Sequence, residues 1–358
     1  MIGTALVVRP DNAGDVLLAG PAVRAVAAGA REVVMLAGPH GRAAAELLPG
    51  VDRVLEWRAP WIDPEPVPMT SEHAARLVEQ VRAVGPDVAV VFTSFHQSAL
   101  PAALLLRLAG VPRIAAISED YPGSLLDVRH VVDESVDVPE PERMLGLARA
   151  AGFDLPPGDD GRLAVRGPLP DVEHLTGPPG YVVVHPGTTA PARAWPAERW
   201  AEAVEALLAA GERVVVTGSP GERALTALVS GPALGSGFPL GPGFPLDLGG
   251  ATTFAELAAV LAGASAVVAA NTGPAHLAAA VGTPVVSLFA PVVPAARWAP
   301  YGVPTVVLGD QGAPCRGSRA RICPLPGHPC LTSIGGEQVV DAVRRLIPAE
   351  EAVKERVP

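Results

Sequence analysis

The sequence predicts an α/β protein built from two doubly wound domains. Short runs rich in β-branched residues alternate with helical patterns, which is typical of βαβ units and a parallel sheet. The alternation stops once, in the segment 153–179 that is rich in Pro, Gly and Asp, and then starts again. The length of 358 residues also exceeds that of one ordinary domain. We therefore expect domains over 1–165 and 175–335, followed by a helix and tail over 336–358.

Each domain contains four predicted strands with helices between them. In the first domain the strands are 4–8, 33–37, 88–92 and 113–117, and the helices are 21–28, 71–84 and 98–109. In the second domain the strands are 181–185, 213–217, 266–270 and 284–289, and the helices are 196–210, 254–262 and 275–281. The segment 336–347 has its apolar residues on one face, which predicts a helix packed against a domain. The segment 231–250, in which GFPL occurs twice, predicts a long surface loop.

The charge and hydropathy of the chain argue against nucleic acid as a partner and against a membrane span. The formal net charge is −10, whereas a protein that binds nucleic-acid phosphates needs a basic face. The most apolar long stretch, 277–296, is interrupted by Pro284, Pro291 and Pro294, which makes it a poor transmembrane helix. Because no basic leader precedes the first predicted strand, we expect a soluble, cytoplasmic protein.

Three cysteines lie close together near the end of the second domain. Cys315, Cys323 and Cys330 share the segment CRGSRARICPLPGHPC with His328, and four such side chains permit a zinc site. Their spacing lacks a CxxC pair and matches no standard zinc finger. We therefore expect a surface loop with reduced thiols and no metal.

The first candidate site residue follows the first predicted strand. Ligands of open α/β sheets bind beyond the carboxyl ends of the strands, so polar residues directly after strands are the candidates. Asp15 stands there, at the start of a helical pattern, where the helix dipole stabilises a carboxylate by about 0.3–1 kcal/mol. Such a carboxylate either takes a proton from a hydroxyl or caps the helix. Asp11, two residues after Arg9, is typical of a turn or a salt bridge.

The second candidate site follows the predicted strand 181–185. Thr188, Thr189 and Arg193 lie in the loop between this strand and the next helix. Two hydroxyls and a guanidinium suit a phosphate or diphosphate, because Arg makes paired hydrogen bonds to its oxygens. A Pro-punctuated loop with a surface Arg is the alternative interpretation.

The third candidate site follows the predicted strand 266–270. Asn271, Thr272 and Gly273 turn into a helix that carries His276 in its first turn. The free N–H groups of such a turn bind anions, and a glycine permits close approach of the backbone. A histidine at this place is a candidate ligand-binding residue, although a lone helical histidine is more often structural.

These three clusters, in this order, resemble the ADP-heptose-dependent heptosyltransferases of glycosyltransferase family nine. The resemblance lies in GDVLLAGP, in HPGTTAPARAWPAERW and in NTGPAHLAAAVGTPVVSLFAPVVPAARWAPYG. It implies a GT-B fold of two Rossmann-like domains facing a cleft, with a C-terminal helix that returns toward the N-terminal domain. In that family the N-terminal domain receives the acceptor and the C-terminal domain holds the nucleotide sugar. The resemblance also implies transfer with inversion and without metal or cofactor, and the sequence has no Asp-x-Asp motif.

The resemblance also implies roles for single residues. By position, Asp15 matches the general base that deprotonates the acceptor hydroxyl. The residues that match the donor-binding positions are Thr188, Thr189, Arg193, Glu222, Thr272, Gly273 and His276. The family commonly has Lys where this chain has Arg193, and it usually has Asp where this chain has Asn271. Asn donates and accepts hydrogen bonds but brings no charge, so this part of the donor is read differently.

The expected function is transfer of a sugar, heptose above all, from an ADP-sugar to a hydroxyl of a glycan or small-molecule acceptor. Lipopolysaccharide is the best-known acceptor of the family, but the Arg- and Pro-rich composition suggests a high-GC genome and leaves natural-product biosynthesis open. Two alternatives are a nucleotide-sugar epimerase of GT-B architecture and a non-catalytic nucleotide-sugar-binding protein. His96 and Ser98 either line the acceptor side or belong to a polar loop. With respect to membranes, the resemblance suggests peripheral contact at most.

Overall fold

The computed structural model describes residues 1–231 and 244–347. The chain divides into two compact units, Met1–Arg166 and Gly167–Pro358. Each unit contains one six-stranded, entirely parallel sheet with helices packed around it. Among the helices described, none is both long and apolar enough to cross a membrane.

The sheet of the first unit has the strand order β3-β2-β1-β4-β5-β6. Its strands are β1 (Ile2–Arg9), β2 (Ala30–Ala37), β3 (Arg53–Glu56), β4 (Val88–Val91), β5 (Ile114–Ile117) and β6 (Val128–His130). Its helices are α1 (Ala13–Leu18), α2 (Gly20–Gly29), α3 (Arg42–Leu47), α4 (Ser71–Val84), α5 (Leu100–Leu108) and α6 (Glu140–Ala150). The strand order reverses between β1 and β4, so the loops after these two strands meet at the point where ligands bind to sheets of this kind.

The sheet of the second unit repeats this arrangement as β12-β11-β10-β7-β8-β9. Its strands are β7 (Tyr181–His185), β8 (Val214–Gly218), β9 (Leu246–Gly249), β10 (Ala264–Ala270), β11 (Val285–Leu288) and β12 (Thr305–Leu308). Its helices are α7 (Glu173–Thr176), α8 (Ala197–Ala209), α9 (Arg223–Ser230), α10 (Phe254–Ala262), α11 (Gly273–Ala280), α12 (Ala295–Trp298), α13 (Pro329–Thr332) and α14 (Gly336–Leu346). Here the order reverses between β7 and β10, which brings the loops after these strands together.

Local sequence explains where the regular elements begin and end. The hydroxyl of Thr70 accepts a hydrogen bond from the N–H of His73 and caps α4, and Gly85 ends that helix in the left-handed conformation. In the second unit, Thr253 and Glu256 form a capping box at the start of α10. The helices are then held by packing, because a fully buried side chain such as Leu77 contributes about 1.5–3 kcal/mol.

The four edge strands are absent from the sequence prediction. β3, β6, β9 and β12 have three or four residues each, and most of their side chains are only partly buried. Short edge strands therefore lack the continuous apolar run that marks a central parallel strand such as β4. Of the predicted loop 231–250, residues 232–243 lie outside the described residues, and the prediction is wrong for the part that forms β9.

The last described helix packs on the second unit, so the predicted packing against a domain is confirmed. α14 lies against α8, and its apolar face, Val339, Val340 and Val343, is buried in the core of that unit. The expectation that it returns toward the N-terminal domain stays a prediction.

The cysteine segment forms the predicted surface loop, since most residues between Cys315 and Cys330 are exposed, but two of its three cysteines are buried. Cys315 and Cys330 are buried in the core of the second unit, and Cys323 packs beside them. All three are free thiols, and burial together with the neighbouring thiols raises the pKa of Cys330 to about 11. Within the described ranges, no group of three or more Cys, His, Asp or Glu side chains is arranged to hold a metal ion. The position of these thiols is explained by their packing in the apolar core.

Candidate active site

The turn between β1 and α1 presents an ion pair at the point where the first sheet reverses. Arg9 is the last residue of β1 and is fully buried. Its Nη2 donates to Asp15 Oδ1 at 3.0 Å and to Ser94 Oγ at 2.9 Å. Asp15 lies in the first turn of α1, whose N-cap position is held by Asn12. The structural role of Asp15 is therefore an ion pair, not the predicted cap, and its side chain keeps 25% exposure to solvent.

Asp11 adds a second, buried carboxylate to this cluster. Asp11 Oδ2 lies 3.2 Å from Arg9 Nε, which confirms the predicted salt bridge. Burial raises the pKa of Asp11 to about 6, and the charge of Asp15 acts in the same direction. The charge of Arg9 and a hydrogen bond from Gln97 oppose the shift. The pKa of Asp11 therefore lies above that of an exposed aspartate.

The loop after β4 completes the cluster with two residues that the sequence did not single out. Gln97 Nε2 donates to Asp11 Oδ1 at 2.6 Å, and Gln97 Oε1 accepts from the N–H of Ser94 at 2.9 Å. The predicted acceptor residues belong to the same loop: the ring of His96 packs edge-on against Phe95, and Ser98 Oγ accepts from the N–H of Leu100. A role for His96 or Ser98 at the acceptor stays a prediction.

In the second unit, β7 ends in a buried histidine, His185, which precedes the loop that carries Thr188, Thr189 and Arg193 and is called here the candidate donor loop. His185 pairs with Ala269 of β10 in the sheet register, and its Nδ1 lies 3.0 Å from Thr217 Oγ1. Burial lowers the pKa of His185 to about 4, although the charge of Glu222 acts in the opposite direction. The ring is therefore neutral at neutral pH and serves as a hydrogen-bonding group of the sheet.

Acidification should destabilise the second unit through His185. The folded protein does not take up a proton that the unfolded chain binds below the ordinary histidine pKa of 6.5, so this contribution to stability is lost between about pH 6.5 and pH 4. We expect the free energy of unfolding of the wild type, relative to that of His185→Asn, to fall over this window. Denaturant titrations at several pH values measure this difference, and a pH-independent difference would contradict a neutral buried ring.

Glu222 lies against the loop that follows β7. Its Oε2 accepts from the N–H and the hydroxyl of Ser219 at 2.8 Å each, so Glu222 closes a capping box at the start of the short 3₁₀ helix Pro220–Glu222. A Cβ atom at Gly187 would overlap all three atoms of the Glu222 carboxyl group. Gly187 is therefore the residue that lets this carboxylate approach the candidate donor loop.

Gly187→Ala should weaken binding of ADP-heptose, the donor that the sequence resemblance implies. The added methyl group displaces the Glu222 carboxylate, and the loss of one hydrogen bond to a charged group weakens affinity by roughly tenfold. Gly221→Ala is the matched control, because a Cβ atom there has Ser219 Oγ at 4.0 Å as its nearest neighbour. Calorimetric titration of both variants checks this, and equal affinities would separate Glu222 from the donor.

The candidate donor loop is held in place by the cysteine segment. Arg193 ends the 3₁₀ helix Pro191–Arg193. The N–H of Ala192 donates to the carbonyl of Arg321 at 2.9 Å, and the carbonyl of Ala192 lies 3.0 Å from His328 Nε2. Both sides of the peptide chain next to Arg193 are thus anchored. This anchoring is a role for His328 that the sequence did not indicate.

The turn between β10 and α11 brings the third cluster to the same edge of the sheet. Thr272 holds the N-cap position of α11 in an extended conformation, and Gly273 begins the helix. His276 is the fourth residue of α11, and both His276 and Asn271 are only 4% exposed. Asn271 Nδ2 is buried and has no hydrogen-bond partner within the described part of the chain. An unsatisfied buried amide costs about 1–3 kcal/mol, which an oxygen of a bound ligand would offset.

The family can now be assigned. Over residues 74–327 the sequence matches the profile of Glycosyltransferase family 9 (heptosyltransferase), a match that covers more than half of the chain. The chain belongs to glycosyltransferase family 9. The resemblance that the three motifs indicate is therefore confirmed.

Curated relatives of this family 9 chain include two lipopolysaccharide heptosyltransferases. Lipopolysaccharide heptosyltransferase 3 of Escherichia coli is 29% identical over 223 residues, which are 62% of this chain and 61% of the relative. Lipopolysaccharide heptosyltransferase 1 of Pseudomonas aeruginosa is 34% identical over 258 residues, 70% of this chain and 64% of the relative. The chain thus spans less than two thirds of the length of either relative.

A solved structure with the same architecture is that of ADP-heptose LPS heptosyltransferase II from E. coli. It superposes with a TM-score of 0.72 and 22% identity, over 97% of this chain and 99% of that chain. Identity this low shows the fold alone. The predicted fold class, GT-B with two Rossmann-like domains, is confirmed.

Proposed function

We propose that this family 9 chain is an inverting, metal-independent glycosyltransferase that moves heptose from ADP-heptose to a hydroxyl of an acceptor glycan. One observation carries the proposal: polar side chains gather where each of the two sheets reverses its strand order. In the first unit they include a partly exposed carboxylate, Asp15, and in the second unit they include Arg193 and a helix N-terminus. The names of the curated relatives support heptose as the sugar.

Asp15 acts as the general base in the proposed reaction. It removes the proton of the acceptor hydroxyl while the oxygen forms a bond to the anomeric carbon. The bond from that carbon to the diphosphate oxygen breaks, and ADP leaves with the bonding electron pair. A single displacement of this kind inverts the anomeric centre and needs one base. The ion pair with Arg9 holds Asp15 in one orientation for this step.

Arg193 and the start of α11 stabilise the leaving diphosphate in the proposed reaction. The guanidinium makes charge-assisted hydrogen bonds to phosphate oxygens. The N–H groups at Gly273 and the hydroxyl of Thr272 add donors, and the helix dipole favours negative charge there. Thr188 and Thr189 supply hydroxyls from the loop that carries Arg193. Positive charge and oriented donors of this kind stabilise the charge that develops in the transition state.

His276, Glu222 and Asn271 complete the proposed donor site. His276 is the fourth residue of α11, close to the helix N-terminus at which we propose that the diphosphate binds. The capping box uses Oε2 of Glu222. The other carboxyl oxygen, Oε1, accepts hydrogen bonds from hydroxyls of the nucleotide sugar. Asn271 donates its buried amide hydrogen to an oxygen of the donor.

The acceptor that we propose is a glycan of the lipopolysaccharide class, as the names of the curated relatives suggest. Such an acceptor would be reached from the cytoplasm by peripheral contact with a membrane. The alternative acceptor is a small molecule of a natural-product pathway. Transfer to a member of a panel of soluble acceptors would reveal it.

Nucleotide selectivity tests the donor half of the proposal. Calorimetric titrations with ADP, UDP and GDP, in buffer that contains a metal chelator, should show binding of ADP alone. Preference for UDP or GDP would overturn the proposed donor and leave the family and fold in place.

A further inference from the structure

A closed ring of four side chains holds the arginine that pairs with Asp15. Arg9 Nε lies 3.2 Å from Asp11 Oδ2, and Asp11 Oδ1 accepts from Gln97 Nε2 at 2.6 Å. Gln97 Oε1 accepts from the N–H of Ser94 at 2.9 Å. Ser94 Oγ closes the ring, because it accepts from Arg9 Nη2 at 2.9 Å. Asp15 is bound to the ring from outside, since its Oδ1 accepts from the same Nη2 at 3.0 Å.

We infer that Asp11, Gln97 and Ser94 are positioning residues. Their ring fixes the guanidinium of Arg9, and the guanidinium in turn fixes the carboxylate of Asp15 for the proposed proton transfer. The inference rests on the proposed function, because it presumes that Asp15 acts as the general base. The three positioning residues lie outside the motifs that carry the family resemblance.

The ring joins two loops that neighbouring strands bring together. β1 and β4 pair in parallel, so their carboxyl ends lie side by side. Arg9 is the last residue of β1 and Asp11 follows it, whereas Ser94 and Gln97 lie in the loop after β4. The strand order of this sheet reverses between β1 and β4, which is the point at which sheets of this kind bind ligands. The ring therefore fixes the relative position of two loops at the candidate active site.

The geometry of the guanidinium explains how the ring orients Asp15. A guanidinium is planar and its N–H groups point in fixed directions. Once Nε faces Asp11 and one N–H of Nη2 points at Ser94, the direction of the other N–H of Nη2 is set, and it points at Asp15. Arg9 is fully buried, so water does not compete for these contacts, whereas the side chain of Asp15 keeps 25% exposure. The carboxylate is thus held from the protein side and stays open to a substrate.

Gln97 gives the ring a direction that only a carboxylate at position 11 satisfies. A backbone N–H can only donate, so the amide oxygen of Gln97 faces Ser94 and its NH₂ group faces Asp11. Arg9 also only donates. The side chain at position 11 therefore has to present one oxygen to Gln97 and another to Arg9. A carboxylate has two oxygens, whereas the amide of an asparagine has one.

The direction of the ring can be broken by one substitution and restored by a second. In Asp11→Asn, the new NH₂ group faces either the NH₂ group of Gln97 or Arg9, and both only donate. In the double variant Asp11→Asn with Gln97→Glu, the carboxylate at position 97 accepts from this NH₂ group and from the N–H of Ser94. The amide oxygen at position 11 then faces Arg9. Both substitutions replace a side chain by one of the same shape, and the double variant keeps the net charge of the wild type.

The turnover number should fall about tenfold in Asp11→Asn and return to within about threefold of the wild type in the double variant, because the orientation of the base is lost and then regained. The affinity for ADP should not change, since the ring lies in the first unit and the proposed donor site in the second. The charges of Asp15 and Glu140 also act on Arg9, so its buried charge stays compensated in both variants.

Ser94→Ala tests the opposite side of the ring. It removes the oxygen that accepts from Arg9 Nη2 and should also lower the turnover number about tenfold without changing the affinity for ADP. Ser124→Ala is the matched control, because Ser124 is an exposed serine of the same unit, in the 3₁₀ helix Gly123–Leu125. If the ring only stabilised the fold, Asp11→Asn and Ser94→Ala would lower the free energy of unfolding and leave the turnover number of the folded enzyme unchanged.

Nitrogen-15 NMR of the arginine side chains tests the ring without relying on transfer. The signals of Arg9 are assigned through bonds from its backbone amide. In the wild type the hydrogens of its two Nη atoms should give separate resonances, because a held guanidinium does not rotate. They should merge in Asp11→Asn and Ser94→Ala, and separate again in the double variant. Merged resonances in the wild type, or separate resonances in every variant, would overturn the inference.

The transfer assay separates a failure of this inference from a failure of the proposed function. Turnover is recorded with ADP-heptose and an inner-core lipopolysaccharide oligosaccharide as the acceptor. A wild type that transfers to no acceptor refutes the proposed function, whereas the NMR spectra still decide whether the ring fixes Arg9. Equal turnover numbers in the wild type, Asp11→Asn and Ser94→Ala refute the inference alone.

Discussion

Asp15→Asn should lower the turnover number with ADP-heptose and acceptor by roughly 10²–10⁴-fold, and leave the affinity for ADP within about twofold of the wild type. Asn has the same shape and can still accept a hydrogen bond from Arg9, so the turn after β1 stays folded. It cannot take the proton of the acceptor hydroxyl, so the loss falls on the chemical step. The rate of ADP release measures turnover, and calorimetry measures affinity.

Asp160→Asn is the control for this substitution. Asp160 lies in the same unit and forms an exposed ion pair with Arg162 at 3.1 Å. Its replacement should leave the turnover number and the affinity for ADP unchanged. If Asp15→Asn turned over at the rate of the control, Asp15 would be only the ion-pair partner of Arg9, and the base would have to be sought elsewhere.

Arg193→Ala should weaken binding of ADP by roughly 10- to 100-fold, because each hydrogen bond to a charged group contributes about 1.5–3 kcal/mol. The backbone beside Arg193 is anchored by Arg321 and His328, so truncation of the side chain leaves the loop in place. Arg193→Lys keeps the charge but loses the paired donors, so its affinity for ADP should lie between those of the wild type and Arg193→Ala. Calorimetric titration of ADP gives all three values.

Arg199→Ala is the matched control for Arg193. Arg199 lies on α8, six positions further along the chain, where it forms an exposed pair with Glu202 at 2.7 Å. Its removal changes the net charge of the protein by the same amount and should leave ADP binding unaltered. Equal losses in Arg193→Ala and Arg199→Ala would mean that long-range charge, and not a diphosphate contact, governs binding.

Sequence patterns located the regular elements wherever a local signal marks both ends. The helix 71–84 and the helix 254–262 agree with the structure at both ends, since Thr70 and Thr253 cap their first turns and Gly85 and Gly263 follow their last residues. The edge strands had no such signal, because strands of three or four partly buried residues carry neither caps nor a long apolar run. Sequence patterns therefore describe the centre of each sheet better than its margins.

The polar clusters can be predicted from the sequence because their residues follow strands, but the contacts within the clusters cannot. Asp15 could be singled out because it follows β1 directly. Ser94 and Gln97 reach the same cluster only because β4 lies next to β1 in the sheet, a neighbourhood that 85 residues of separation conceal. The side-chain contact between Glu222 and Gly187 likewise depends on the pairing of β7 with β8. Strand order, which no local pattern states, decides these contacts.

Transfer of heptose to an acceptor tests the proposed function most directly. The purified protein is incubated with ADP-heptose, in the presence and absence of an inner-core lipopolysaccharide oligosaccharide, and the products are resolved by mass spectrometry. We predict acceptor-dependent release of ADP and an oligosaccharide that is heavier by one heptose. Conversion of the nucleotide sugar without any acceptor, or an oligosaccharide unchanged in mass when ADP-heptose is bound, would contradict a heptosyltransferase.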